Sequence, residues 1–184
     1  MVRRIGVLAA AIVALSAAAV GVAGPASAVV TCNGMQETVS GNTGTGGDDV
    51  IIGTDGNDVI DGRGGDDTIC ARGGVDNVYG GRGEDLIFGG PGADFIWGDS
   101  GSPSATFGDR DTVFGGDGND YIDGQIGGDD LNGDADSDTL LGGDGPDTLD
   151  GGTGQVETTG SVTDLCEGEG GNDTYLATCE QIVD

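Results

Sequence analysis

The 184-residue sequence contains no histidine and no lysine. Its 6 basic residues are all arginine, against 33 Asp and Glu, so the formal net charge is -27. Without histidine there is no Ser-His-Asp triad, no HExxH zinc helix and no imidazole ligand. With so few cations the chain would repel a phosphate backbone, which excludes nucleic acid as a partner. Aromatic residues make up only 4 %. Large apolar side chains are too sparse to fill an ordinary two-layer core of this length. Proline occurs 4 times, and the 41 glycines do not fall at every third position, so collagen is excluded. A disordered acidic chain and a glycine-punctuated repeat remain.

The first 28 residues read as a segment outside the fold. Arg3 and Arg4 are followed by an uncharged apolar run from Ile5 to Val20, and Ala26-Ser27-Ala28 supplies a small-x-small cleavage site. This is the pattern of a secretory signal peptide. Its removal takes away two arginines and no acid, leaving a charge of -29. No later segment is apolar enough to span a bilayer, so the expectation is a secreted, extracellular protein with no membrane span in the mature chain. Four cysteines, Cys32, Cys70, Cys166 and Cys179, suit an oxidising compartment and suggest disulfides.

A nine-residue period runs through the rest. GGRGEDLIF (80–88), GGPGADFIW (89–97), GGDGNDYID (115–123) and GGDGPDTLD (142–150) share the pattern G-G-x-G-x-D-x-U-x, with U a large aliphatic residue. Weaker copies occupy 44–79 and 124–141. Position six carries Asp49, Asp58, Asp67, Asp76, Asp85 and Asp94, then Asp111, Asp120, Asp129, Asp138 and Asp147, with Asp173 as a later member. Position eight agrees independently, from Ile51, Ile60 and Ile69 through Ile87 and Ile96 to Leu131, Leu140 and Leu149. Two breaks of 17 residues, Asp94 to Asp111 and Asp147 to Asp164, interrupt the series. Each is either an eight-residue insertion or a degenerate turn with one deletion. Their equal, near-18 length favours degenerate turns over 98–106 and 151–159.

One unit buries a single aliphatic residue and cannot be stable alone. Two units make an 18-residue coil of strand, turn, strand and turn, and stacked coils form two parallel sheets. The triplet Leu86-Ile87-Phe88 is a strand in which alternation sends Ile87 inward. Stacking then places Asp above Asp along both edges. Bare carboxylates in such rows repel, and the chain has too few cations to offset them. A hard divalent cation with six to eight oxygen ligands does so, and Ca²⁺ fits better than Mg²⁺ or a soft metal. Position six offers the carboxylate and the glycine-rich turn offers carbonyls.

These repeats resemble the hemolysin-type calcium-binding (RTX) nonapeptide, over roughly residues 44–176. The resemblance implies an all-β, right-handed parallel β-roll with short terminal caps, and several Ca²⁺ held between turns stacked on one edge. The ligands it implies are turn carbonyls and the position-six carboxylates of Asp49, Asp58, Asp67, Asp76, Asp85, Asp94, Asp111, Asp120, Asp129, Asp138, Asp147 and Asp173. Ala71 and Arg72 in place of glycine, and Asp109 and Asp136 at position four, weaken individual sites. The expected organisation is a signal peptide (1–28), an N-terminal cap (29–43), the roll (44–176) and a C-terminal cap (177–184).

Tyr79, Phe88, Trp97 and Phe114 share outward position nine. They form either a protein or glycan patch or, as we favour, cross-strand ladders that cover the sheet face. In a solenoid the two ends never meet, so the expected disulfides are Cys32–Cys70 and Cys166–Cys179, one pinning each cap. The function expected is a calcium-binding structural or interaction module, not an enzyme. An Asp-pair glycosidase is the alternative by residue type, but periodic Asp is better explained by metal. An ice-binding surface would need a regular Thr or Asn ladder, and positions two and five are irregular.

Overall fold

The computed structural model describes residues 31–39, 41–99, 109–152, 165–167, 174–175 and 181–183. The signal peptide, Asp173 and Cys179 therefore lie outside the described residues. Every described element is a strand. The chain begins with a small antiparallel pair, β1 (Thr31–Cys32) and β2 (Met35–Gln36). There follow β3 (Val50–Ile52), β4 (Val59–Asp61), β5 (Thr68–Cys70), β6 (Asn77–Gly81), β7 (Leu86–Pro91), β8 (Phe95–Asp99), β9 (Thr112–Asp117) and β10 (Tyr121–Asp123). The series continues with β11 (Asp130–Ala135), β12 (Thr139–Leu141), β13 (Thr148–Asp150), β14 (Leu165–Glu167), β15 (Thr174–Tyr175) and β16 (Gln181–Val183).

Successive strands alternate between two sheets of seven strands each, one with the odd-numbered strands β3 to β15, the other with the even-numbered strands β4 to β16. All pairings within the two sheets are parallel. This is a β-solenoid of the β-roll type, as the period implies. The final pairing places β16 of the expected C-terminal cap beside β14, as the last strand of its sheet.

The core is one residue wide from each sheet. Ile51, Ile69, Ile87, Val113, Leu131 and Leu149 stand in one row of paired residues, and Ile60, Val78, Ile96, Ile122 and Leu140 in the other. All eleven are fully buried, and each contributes about 1.5–3 kcal/mol by leaving water. A coil thus needs only two aliphatic residues, which explains how so apolar-poor a sequence forms a core.

The register corrects the reading of the breaks. Leu86 pairs with Thr112 and Phe95 with Tyr121, across a separation of 26 residues. The same separation joins Thr139 to Leu165 and Thr148 to Thr174. One coil is 18, so each break is eight extra residues and adds no turn to the stack. The preference for degenerate turns over 98–106 and 151–159 was mistaken. Equal spacing reflected two insertions of equal length.

The N-terminal segment folds over the outer face of the first coils. Cys32 is bonded to Cys70, with Cα atoms 5.7 Å apart, so the chain takes the fold-back path expected of residues 32–43. Cys32, Val50 and Ile52 form a second buried cluster with Cys70 and Phe88 packed against it. This is why β3 is buried on both faces while the other three-residue strands, such as β5, β10 and β12, are buried only at their middle residue. On the sheet faces, Tyr79 stacks on Trp97 with centroids 4.8 Å apart, and Phe88 on Phe114 at 5.2 Å, each pair 8° from parallel. The rings are paired residues of adjacent strands and turn their faces to one another along the stack. That geometry is the cross-strand ladder.

Candidate metal centre

Position six ends the tight turn and immediately precedes a strand, so its side chain points along the edge of the stack. The structure brings the Asp series into two rows, one on each edge, with Asp173 outside the described residues. In each row one carboxylate oxygen has a job that the sequence reading missed. It accepts the backbone N–H of the position-six Asp in the preceding coil. Asp49, Asp67, Asp85, Asp111 and Asp129 donate in this way to Oδ1 of Asp67, Asp85, Asp111, Asp129 and Asp147, at 2.8–2.9 Å. On the other edge Asp58, Asp76, Asp94 and Asp120 donate to Asp76, Asp94, Asp120 and Asp138, at 2.7–2.9 Å. The Asp rows are therefore also the hydrogen-bonded spine of the turns.

The second oxygen is different. Oδ2 of Asp67, Asp76, Asp85, Asp94, Asp111, Asp120 and Asp129 is buried and accepts no hydrogen bond. A buried carboxylate oxygen left in this way costs several kcal/mol unless a proton or a cation answers it. Position-one glycines show what surrounds it. A Cβ on Gly80 would lie 2.6 Å from Asp85 Oδ2 and closer still to the carbonyl of Gly98 in the next coil. On Gly124 it would lie 2.5 Å from Asp129 Oδ2 and 2.7 Å from the Gly142 carbonyl. A carboxylate oxygen and a neighbouring coil's carbonyl thus converge beside these two glycines and leave no room for a methyl there, whereas Ala71 fits, fully buried, at the same position of its own unit. Position two instead needs a left-handed backbone, with φ of 123° at Gly81 and 103° at Gly90. Arg63, Arg72, Gln125 and Asp134 hold the same conformation without glycine.

Electrostatics follow from this burial. Desolvation, opposed by the N–H bond and reinforced by neighbouring carboxylates, raises the pKa of Asp85 and Asp129 to about 8. It raises Asp111 and Asp120 to about 7, and Asp67 and Asp94 to about 6. Two acids outside the series join the row at the first insertion. Asp99, itself buried, accepts the Ile126 N–H at 3.2 Å, and Asp109 accepts the Gly83 N–H at 2.9 Å. Burial and then repulsion from Asp109 raise the Asp99 pKa. Each stands where the repeat prefers glycine: Asp109 at position four of its unit, and Asp99 opposite Gly81 at position two.

The first coil departs from the pattern. Thr45 donates both its N–H (2.6 Å) and its hydroxyl (2.8 Å) to Asp49 Oδ2. Thr54 does the same to Asp58 Oδ2, at 2.7 and 2.9 Å. The Thr45 N–H bond is the strongest influence on Asp49; desolvation opposes it, the Thr45 and Thr38 hydroxyls assist, and the pKa falls. At Asp58 desolvation is the largest single influence, yet Thr54 and Asn42 together outweigh it and the pKa falls there too. What sets these two units apart in the sequence is Thr at position two, four residues before the Asp.

The donor set, carboxylate and carbonyl oxygens without sulfur or imidazole, suits Ca²⁺. Among the described residues no three acidic, His or Cys side chains converge on one point, so a metal here relies on backbone carbonyls for most of its shell. The ion pairs described, Arg72–Asp55 at 2.7 Å and Arg63–Asp61 at 4.0 Å, are at exposed side chains and leave the buried rows unanswered. A cleft of about 340 Å³ beside the disulfide is lined by Asn33, Cys70, Arg72 and Phe88, with no acid among its lining residues. Among the described residues no helix is long and apolar enough to cross a membrane. The RTX calcium-binding nonapeptide repeat matches this sequence four times, over residues 43–78, 71–103, 106–140 and 123–155. No curated protein matches the chain.

Proposed function

Because the chain belongs to the RTX calcium-binding nonapeptide repeat family, we propose that it is a secreted protein whose roll folds on binding several Ca²⁺ between stacked turns. It then acts as an extracellular structural or interaction module rather than as an enzyme. The observation that carries this reading is the series of buried Oδ2 atoms, from Asp67 to Asp129, that no protein group answers. The ligands are Asp67, Asp76, Asp85, Asp94, Asp111, Asp120 and Asp129, with turn carbonyls; Asp138 and Asp147 continue the rows, and Asp173 is a later member of the series in the sequence. Secretion is supported by the leader-like first 28 residues and agrees with the Cys32–Cys70 bridge. The division into an N-terminal cap (29–43), a roll (44–176) and a terminal segment (177–184) follows the same logic, with the bridge fastening the first of these. Stacked aromatic pairs turn their faces to each other and not to solvent, which favours a structural role for them over glycan stacking.

A calcium titration followed by far-ultraviolet circular dichroism and hydrodynamic radius tests this. The metal-free chain is expanded, and calcium produces a compact β form with an overall affinity of roughly 10⁻⁴–10⁻³ M. Asp120→Ala, which removes a buried ligand, weakens calcium binding. Asp117→Ala, at an exposed side chain on the end of β9, does not. A chelated protein with the radius and sheet signal of the loaded one contradicts the reading, as does equal loss in the two variants.

A further inference from the structure

Resting on the calcium reading above, we propose that the calcium rows begin at the second coil. Asp49 and Asp58 are hydrogen-bond acceptors rather than calcium ligands, and the first coil with its cap forms a calcium-independent start on which later coils stack. Both oxygens of each carboxylate are already held. Asp49 Oδ1 takes the Thr38 hydroxyl at 3.3 Å and Oδ2 takes the two Thr45 donors. Asp58 Oδ1 takes the Asn42 amide at 2.8 Å and Oδ2 the two Thr54 donors. A cation entering here must displace these donors, whereas at Asp85 or Asp120 it meets an oxygen with no hydrogen bond to lose.

The arrangement is specific to this end. From Arg63 to Gly152, position two takes the left-handed conformation in every described complete unit. Thr45 and Thr54 do not; a β-branched residue resists that conformation, and the different backbone turns the Thr N–H onto the carboxylate. The cap supplies the remaining bonds. Thr38 donates its N–H to the Val50 carbonyl at 3.0 Å and accepts the Val50 N–H on its hydroxyl at 2.7 Å. The Asp61 N–H donates to the Asn42 carbonyl at 3.0 Å. The Cys32–Cys70 bridge then ties the cap to the second coil, where the unanswered oxygens begin. The cap thus does for the first coil what calcium does for the others.

Hydrogen exchange of the oxidised full chain, read by mass spectrometry in chelator and in calcium, tests the proposal. In chelator, residues 44–61 exchange about ten-fold or more slowly than residues 80–141. Calcium slows 80–141 by a larger factor and leaves 44–61 within about two-fold. Equal exchange of the two segments in chelator overturns the proposal. Calcium that slows neither segment overturns the calcium reading itself, and this one with it. Native mass spectrometry gives an independent readout, since Asp76→Asn lowers the number of bound Ca²⁺ and Asp58→Asn leaves it unchanged. A lowered number in Asp58→Asn overturns the proposal even where the variant folds normally.

Discussion

The first coil and the middle coils are built from the same nine-residue unit and carry the same Asp at position six. In the first coil, Thr45 and Thr54 complete the carboxylates of Asp49 and Asp58, and their pKa values fall. In the middle coils position two is turned away into the left-handed region, the second oxygen is left bare, and the pKa values rise as far as about 8. The contrast teaches that the Asp row is not in itself a metal site. It is a hydrogen-bonded spine, and in the proposal above the residue four places earlier sets whether a protein donor or a cation completes it.

The largest expected effect that sharpens this contrast is on the whole roll. Burial raises the Asp carboxyls of the middle coils to about 6–8 in the folded state, while in the unfolded chain they titrate near ~3.9. The folded roll therefore binds more protons than the unfolded chain between about pH 4 and about pH 8, and its metal-free stability falls as pH rises through that window. Asp49 and Asp58 have the opposite sign: their contribution is present above the ordinary carboxylate range and is lost as pH falls through and below it. In chelator the β signal is stronger at about pH 5 than at about pH 8, and saturating calcium removes the difference by replacing the protons. A chelated roll that gains order as pH rises from about 5 to 8 breaks the comparison.

A smaller effect separates position one from an open glycine. Gly80→Ala drives a methyl against Asp85 Oδ2, the Gly98 carbonyl and Ile87 Cδ1. It costs about 1–3 kcal/mol of stability in calcium and lowers calcium affinity. Gly46→Ala, with nothing within 4 Å of the new methyl, changes stability by less than about 0.5 kcal/mol. Thermal unfolding of the two calcium-loaded variants measures the difference. Equal shifts would mean that position one is not the close approach between coils.

Much of this was legible in the sequence, because a solenoid writes its period directly into the chain. Ile87 inward with Leu86 and Phe88 outward, Asp85 at the turn, and a cap reaching back to Cys70 all follow from spacing and the reach of a disulfide. The two breaks did not, since 17 residues between Asp94 and Asp111 equal either nine plus eight or two units less one. Only strand pairing, such as Leu86 with Thr112, distinguishes the two. The use of Oδ1 as a backbone acceptor was hidden because it joins residues 18 or 26 apart. Thr45 and Thr54 were visible, but nothing in their spacing said that their N–H groups would turn onto Asp49 and Asp58.

The central claim is that calcium sits on the oxygens that the middle coils leave bare. A crystal structure of the protein grown in calcium, with an anomalous difference map, tests it most directly. The account predicts peaks between coils, within about 2.3–2.6 Å of Oδ2 of residues such as Asp85, Asp120 and Asp129, and none at Asp49 or Asp58. A fully formed roll in that crystal with no peak beside these atoms, or with calcium only on exposed acids such as Asp117, would contradict it.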